Sequence, residues 1–396
     1  MMMQIFLFLK QIVDMLYKFQ FLDYMMVLLM LGLLGQCVWN ALKSNANVQG
    51  NIKSYVGMED VTVLILCLLF CFSFFRDMAG YQKFFKIISG FLLFFLGRMS
   101  NISIEKCGKT LALSSYIVVG INLAFCLFGC GFIDWAFGAN TFVGVYYFKT
   151  DLAAGMTIAA IFIFFFSAQK ILKYITIFAI CPVLIFISNS RAFFFICCLI
   201  LCFMVFYFIE TKRGRPILFS WKVIAIICAV IAFSIVIMIF LSKSALFQEN
   251  AWIGMQVNSA VDLLKPDQLN YRNVIWKGIM DFFWAQPIWN QIVGFDLYSE
   301  IQFNSASADA HSTYFRILYA IGYSGCIAFG TFVLMLIRRL FQLKDRVLYY
   351  TMMSLLVLYL LAGMTYITID STQYSWLTMF FAGVMVTQTR KQKLYR

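Results

Sequence analysis

The chain's sole histidine, His311, stands where a long polar stretch gives way to an apolar run. Three arginines, Arg191, Arg272 and Arg316, fall at or near similar borders between polar and apolar sequence. An unperturbed imidazole titrates near neutral pH and can take a proton from an attacking hydroxyl. A guanidinium offers a rigid fork of donors that grips phosphate oxygens through paired hydrogen bonds. Together these groups suit displacement of a phosphorylated leaving group. Each also has a plainer reading. Arg191 would serve as an anchor snorkelling to lipid headgroups, Arg272 could pair with Asp267 or Asp281, His311 could cap the helix that follows or face water, and Lys149 reads as a surface anchor. Arg316 lies about one turn inside an apolar run, where an unpaired charge costs ~2.5–3.5 kcal/mol or more, so it should face a polar cavity.

The elements that must position these residues follow from composition. With 63% hydrophobic and 12% charged residues over 396 positions, the chain falls far outside the range of soluble domains. It reads as an all-α, polytopic integral membrane protein, because apolar runs repeatedly approach the ~20 residues that cross a ~30 Å hydrocarbon core. Helices satisfy the backbone there. The 45 Phe and 21 Met fit lipid-facing and loosely packed surfaces. The first apolar stretch meets Lys10, Asp14 and Lys18 without a small-residue cleavage pattern, so no cleavable signal peptide is expected.

A net charge of +13 raises the question of nucleic acid, but its distribution follows membrane sides. Lys212, Arg213, Arg215 and Lys222 oppose only Glu210, Arg338, Arg339, Lys344 and Arg346 oppose only Asp345, and the tail adds Arg390, Lys391, Lys393 and Arg396. The positive-inside rule makes these segments cytoplasmic. Between positions 245 and 311, Lys265, Arg272 and Lys277 face Glu249, Asp262, Asp267, Asp281, Asp296, Glu300 and Asp309, so this loop belongs outside. Spans are expected at about 20–42, 61–75, 84–97, 111–133, 151–168, 173–188, 192–209, 221–242, 313–337, 347–367 and 371–388. A further span at about 3–18 would restore a cytoplasmic start; without it, one short run does not cross. The expectation is a single transmembrane domain over 1–396 with about eleven or twelve helices and one large outer loop at 245–311. Under this parity the basic stretch Arg76–Lys86 falls on the outer side, against the rule.

The long loop carries two amphipathic patterns. Ile253, Val257, Ala260, Val261 and Leu264 recur at helical spacing, as do Val274, Ile275, Ile279, Phe282 and Phe283, whose polar edge holds Arg272, Lys277 and Asp281. With Trp252, Trp276, Trp284 and Trp289 among them, these helices should lie at headgroup level as a roof. The twelve cysteines sit in or beside apolar spans, so no disulfide framework is implied. One histidine and no cysteine cluster in the loop argue against a protein-built zinc or transition-metal site. Cys107-Gly108-Lys109-Thr110 imitates the end of a phosphate-binding loop, but Ser103 stands where its first glycine should be. No internal repeat of the transporter kind is visible.

Three groups of residues, taken in order, resemble a known family. Ser190-Arg191-Ala192 opens a span, Tyr271-Arg272 leads through Trp276 to Pro287 and Gly294, and Ala310-His311-Ser312 is followed by Gly322 and Gly325. This sequence of motifs, mainly within 140–340, resembles the O-antigen ligase and O-antigen polymerase (Wzy-type) superfamily. It departs at Ser312, where many members carry Asn, and at Phe148-Lys149-Thr150-Asp151, where an Asn-rich turn is common. The resemblance implies a GT-C-like fold and a metal-independent, inverting glycosyltransferase without cofactor. Such an enzyme acts on undecaprenyl-pyrophosphate-linked glycans at the periplasmic face of the bacterial inner membrane. His311 would then be the general base, with Arg191, Arg272 and Arg316 binding the pyrophosphate. Partners would be the lipid-linked donor and acceptor, the bilayer, and a chain-length regulator protein, with no nucleic acid. The general appearance of the chain favours a polymerase joining repeat units. The alternatives are a ligase transferring polymer to lipid A core and a polysaccharide-lipid transporter. The transporter predicts charges at mid-membrane, whereas those singled out here gather at one face.

Overall fold

The computed structural model of the chain describes residues 2–16, 20–45, 56–100, 102–135, 139–213, 272–297, 299 and 309–394. The expected span at 221–242 and the expected amphipathic helix at 251–264 lie outside the described residues. Hydrocarbon offers no water to free amides and carbonyls, and the chain responds by being almost entirely helical. In order come α1 (Met2–Met15), α2 (Gln20–Asn45), α3 (Met58–Arg76), α4 (Tyr81–Met99), α5 (Ile104–Leu127) and α6 (Lys149–Phe166). Then follow α7 (Lys170–Ile175), a π turn (Thr176–Ile180), α8 (Cys181–Ile187) and α9 (Arg191–Arg213). The described chain resumes with α10 (Arg272–Ala285), α11 (Ile288–Val293), α12 (Thr313–Leu340), α13 (Arg346–Ala362) and α14 (Thr372–Leu394). Among the described residues, seven segments are long and apolar enough to cross a membrane, formed by α3, α4, α5, α6, α7 with α8, α9 and α12. The chain is an all-α polytopic membrane protein.

Local chemistry explains where the elements break. Pro182 cannot donate a backbone bond, and the π turn ahead of it absorbs the disruption so that α7 and α8 form one segment. The span expected at 111–133 begins and ends earlier, as α5. Its end is fixed by Gly129 and Gly131 at φ +67° and +76°, a left-handed geometry that side chains resist. The apolar Phe132 and Ile133 that extended the hydropathy signal belong instead to a small hairpin, β1 (Phe132–Trp135) with β2 (Ala139–Phe142), in which Phe132 pairs with Phe142. The run near 3–18 is α1, whose 14 residues at 1.5 Å rise cover about 21 Å, short of a full crossing. One face of it is nonetheless buried: Phe6 stacks on Trp376 at 5.9 Å, and Lys10 sits 4.9 Å over the same indole while pairing with Asp14.

Charge fixes the register of the bundle at both ends. At one face, Glu59 and Asp60 open α3 and meet the closing turns of three other helices. Arg98 grips Asp60 in bidentate fashion at 2.8 and 3.0 Å, Arg339 reaches Glu59 at 2.6 Å, and Arg390 reaches Glu59 at 2.9 Å. Between those ends α4 and α14 pack backbone to backbone, since a Cβ on Gly97 would lie 2.1 Å from the Phe380 carbonyl and one on Gly383 2.1 Å from that of Phe94. At the opposite face Arg76 donates to the Gly294 carbonyl, and Lys83 pairs with Asp309 at 2.8 Å. The basic stretch Arg76–Lys86 thus shares a face with the described end of the acidic loop, where Asp309 supplies a counter-charge to Lys83.

Candidate active site

Four helices begin close together at that second face, and each brings one sequence-singled residue. Arg191 is the first residue of α9 and Arg272 that of α10, while His311 precedes α12 by one turn residue, Ser312. The fourth is Lys149, first residue of α6, which feels the charges of both Arg191 and Arg272. A cation at a helix N-terminus opposes the macrodipole, at a cost of ~0.3–1 kcal/mol each. Three such cations repelling one another favour an anion among them, and so do the N–H groups at the same helix ends.

The turn before α9 aims Arg191. Ser188 donates its hydroxyl to the Ile185 carbonyl at 2.6 Å, Asn189 takes φ +54°, and the Asn189 side chain accepts from Arg191 Nε at 3.5 Å. Arg272 is half-buried, and enclosure by protein lowers its pKa from the ordinary 12.5 without removing its charge. Among the described residues no hydrogen bond or ion pair engages its guanidinium; the pairing with Asp281 is not formed, and Asp267 lies outside the described residues. Behind it, Ile275, Ile279 and Phe283 form the buried stripe of α10, and Lys277, Asp281 and Trp284 face outward. Val274 departs from the expected stripe and is exposed. Exposed Trp284, Ile288 and Trp289 continue an apolar outer surface onto α11.

His311 is held by its neighbours and not by its ring. Its backbone is left-handed at φ +47°, a conformation a non-glycine residue keeps only when its surroundings over-determine it. On one side Trp276 Nε1 donates to the Ala310 carbonyl at 2.8 Å, the indole stacking on Phe315 at 5.1 Å. On the other, Thr313 N donates to the Gly363 carbonyl at 2.8 Å and Thr313 Oγ1 accepts from Thr368 N at 2.7 Å. The imidazole itself is exposed, and among the described residues nothing hydrogen-bonds it. Surrounding protein, then Arg272 and Arg316, push its pKa below the ordinary 6.5, while Asp309 pulls upward. The ring is therefore neutral at pH 7, as a base must be.

Arg316 occupies a different position from the other two arginines. It has no exposed surface; its Nη1 donates to the Leu297 carbonyl at 2.8 Å, and its Nη2 lies 3.2 Å from Asp309 and 3.8 Å from Asp370. Its charge reaches the site through Asp309 and the His311 ring, from within the protein. Breaking a fully buried pair costs roughly 3–5 kcal/mol, and the partial exposure of Asp309 puts this one below that range. Arg316→Ala should accordingly lower the thermal midpoint of the purified protein by several degrees, measured by intrinsic fluorescence, whereas Arg191→Ala and Arg272→Ala should leave it near wild type.

Close packing seats α11 on the bundle. Gly294 and Gly322 adopt φ +78° and +64°, and a Cβ on Gly322 would meet the backbone of Gln291, Ile292 and Gly294 at 2.5 Å. The chain after α11 thereby docks into a break in α12, where Phe295 N donates to the Tyr319 carbonyl at 2.9 Å.

Sequence reasoning missed the far wall of the site. Asp151 accepts from the Tyr366 hydroxyl at 3.1 Å, and Gln373 donates to the Asp151 carbonyl at 2.8 Å, tying α6 to the turn before α14. In that turn burial raises the pKa of Asp370 despite the opposing charges of Arg316, Lys83 and Lys86. The available signal was the basic stretch on the wrong side. Cys107-Gly108-Lys109-Thr110, in contrast, lies inside α5.

Residues 176–330 match the family model of the O-antigen ligases, consistent with the O-antigen polymerase and ligase superfamily that the motifs resemble. The match takes in Arg191, Arg272, His311 and Arg316 but neither Lys149 nor the turn at 366–373. A search of curated proteins finds no match.

Proposed function

We propose that the protein is a glycosyltransferase that uses an undecaprenyl-pyrophosphate-linked glycan as donor, working on the periplasmic face of the bacterial inner membrane. The observation that carries the reading is the convergence of Lys149, Arg191 and Arg272, each opening a helix, on the face that also presents the unencumbered His311. Departure of a lipid pyrophosphate builds negative charge at the bilayer surface. Preorganised cations there stabilise it without a metal. His311 takes the proton of the attacking sugar hydroxyl, and attack in line with the departing pyrophosphate inverts the anomeric centre. Arg316 contributes its charge from behind and fixes the end of the loop that carries His311.

Of the two acceptors, the non-reducing sugar of another lipid-linked repeat defines a polymerase and the lipid A core a ligase. We favour the polymerase. Deleting the gene and resolving the lipopolysaccharide on a gel separates them. A single repeat on the core is the polymerase outcome, and bare core with accumulated lipid-linked polymer is the ligase outcome. A wild-type polysaccharide profile would overturn both.

Sidedness is tested by labelling. In a Cys130→Ser background, Asp77→Cys should react with a membrane-impermeant maleimide in cells whose outer membrane alone is permeabilised, and Lys344→Cys only after lysis of the inner membrane. Asp77 lies beside the Arg76 and Lys83 contacts to the loop, and Lys344 lies in the turn that follows Arg339. The reverse pattern would place the site in the cytoplasm.

A further inference from the structure

A cavity of about 280 Å³ lies on the face shared with His311, and Asp309, two residues before the histidine, forms part of its wall. Its opposite wall comes from the N-terminal half of the chain, outside the family match, and includes Lys83, Lys86, Phe148 and Asp151. The volume stands near the low end of small-ligand pockets (~300–1,000 Å³). That suits one or two sugar rings. The lining is too polar for a polyprenyl chain.

Its chemistry also differs from that of the cationic cluster. Among the described lining residues Asp14, Asp151, Asp309 and Asp370 stand with Lys83 and Lys86, and Lys10 and Arg316 pair with Asp14, Asp309 and Asp370 from behind. The cavity therefore has no excess of cations to hold a pyrophosphate or a uronic acid, which the cluster of Lys149, Arg191 and Arg272 suits better. Carboxylates accept from hydroxyls, and lysines and glutamine amides donate to them. Phe148 and Tyr366 add aromatic surface to the lining, a complement to the C–H bonds of a pyranose. The wall is already braced, by Lys83 on Asp309 at 2.8 Å and by the Tyr366 hydroxyl on Asp151 at 3.1 Å, so little ordering is needed when a ligand enters. Asp309 is at once part of the cavity wall and, two residues before His311, a charge that acts on the His311 ring, so the histidine stands beside this wall.

We infer that this cavity is the acceptor subsite, receiving the terminal, non-acidic sugar of the acceptor glycan and presenting its hydroxyl to His311; this rests on the glycosyltransferase reading above. The cavity walls outside the family-matched segment, from the N-terminal half and from the turn before α14, thus set which sugar is extended, while Arg191 and Arg272 within that segment hold the donor together with Lys149.

The test uses the full chain in nanodiscs. The probe is oligosaccharide released by mild acid from lipid-linked repeats of a strain lacking the gene. Ser371 lines the cavity at the start of α14, so Ser371→Trp fills it, while Ser371→Ala removes the same hydroxyl without filling. By calorimetry, Ser371→Trp should weaken oligosaccharide binding at least tenfold with inhibition of transfer by inorganic pyrophosphate unchanged, and Ser371→Ala should bind as wild type does. Lys86→Met should also weaken binding several-fold, providing a second variant with no added bulk. Unchanged binding in Ser371→Trp and Lys86→Met, or no binding by wild type, would overturn the acceptor subsite. Wild-type protein that binds the oligosaccharide yet never turns over the lipid-linked repeat would instead overturn the glycosyltransferase reading.

Discussion

His311→Gln is expected to slow glycosyl transfer by ~10²–10⁴ while leaving expression and thermal midpoint near wild type. The size of the effect follows from the role, and the spared stability follows from the structure. What holds this corner together is the Ala310 carbonyl on Trp276 and the Thr313 bonds to the turn at 363–368, and the imidazole takes no part in either. A pH profile separates a base from a cap. With the pKa held below 6.5 by surrounding protein, Arg272 and Arg316, the ring is neutral at pH 7, and the rate should fall as pH drops through that depressed value. Removing one lowering charge in Arg272→Gln should raise the pKa and shift the acid limb of its residual activity toward higher pH. The residual rate of His311→Gln should show no limb there. Near wild-type turnover in His311→Gln would reduce the residue to a structural turn.

The cationic half of this site is more legible in the sequence than the cavity beside it. Arg191, Arg272 and His311 were legible because each marks a border between polar and apolar sequence, where charge is costly and its placement informative. Lys149 was underweighted, because one cation before a span reads as an anchor until two others are found beside it. Arg316 cannot face lipid, and the polar surroundings its position demands are Asp309 and Asp370, carboxylates that also line the cavity and that hydropathy cannot identify. The far wall stayed hidden because Asp14, Lys83, Asp151 and Asp370 lie far apart in the chain, with no spacing that betrays their meeting. Even so, charge counting left one contradiction, a basic stretch on the outer side, and that contradiction pointed at Lys83 and Lys86. Fold boundaries failed where apolar residues left the membrane helix, as Phe132 and Ile133 do in the hairpin that follows α5. Hydropathy measures what a residue would prefer, and the two left-handed glycines decide where the helix stops.

Arg191→Ala and Arg272→Ala should each lower transfer by ~10²–10³, the scale of losing one preorganised donor to a developing oxyanion, enough to remove long-chain product from a gel. Both side chains begin helices whose dipoles disfavour them, and both act on Lys149, so their removal relieves some repulsion, against which Arg191→Ala gives up the contact to Asn189. Stability should therefore change little beside the loss of transfer. Lysine at either position restores the charge but not the bidentate fork, so Arg191→Lys and Arg272→Lys should recover only part of the rate. Because the two guanidiniums serve one pyrophosphate, the double alanine variant should lose less than the product of the single losses. Inhibition by inorganic pyrophosphate supplies the direct readout: it should weaken at least tenfold in either alanine variant and persist in EDTA for the wild type, since no metal bridges the contact. Full activity in both alanine variants would remove the pyrophosphate clamp, and strict dependence of wild-type turnover on an added divalent cation would replace it with a metal-assisted mechanism.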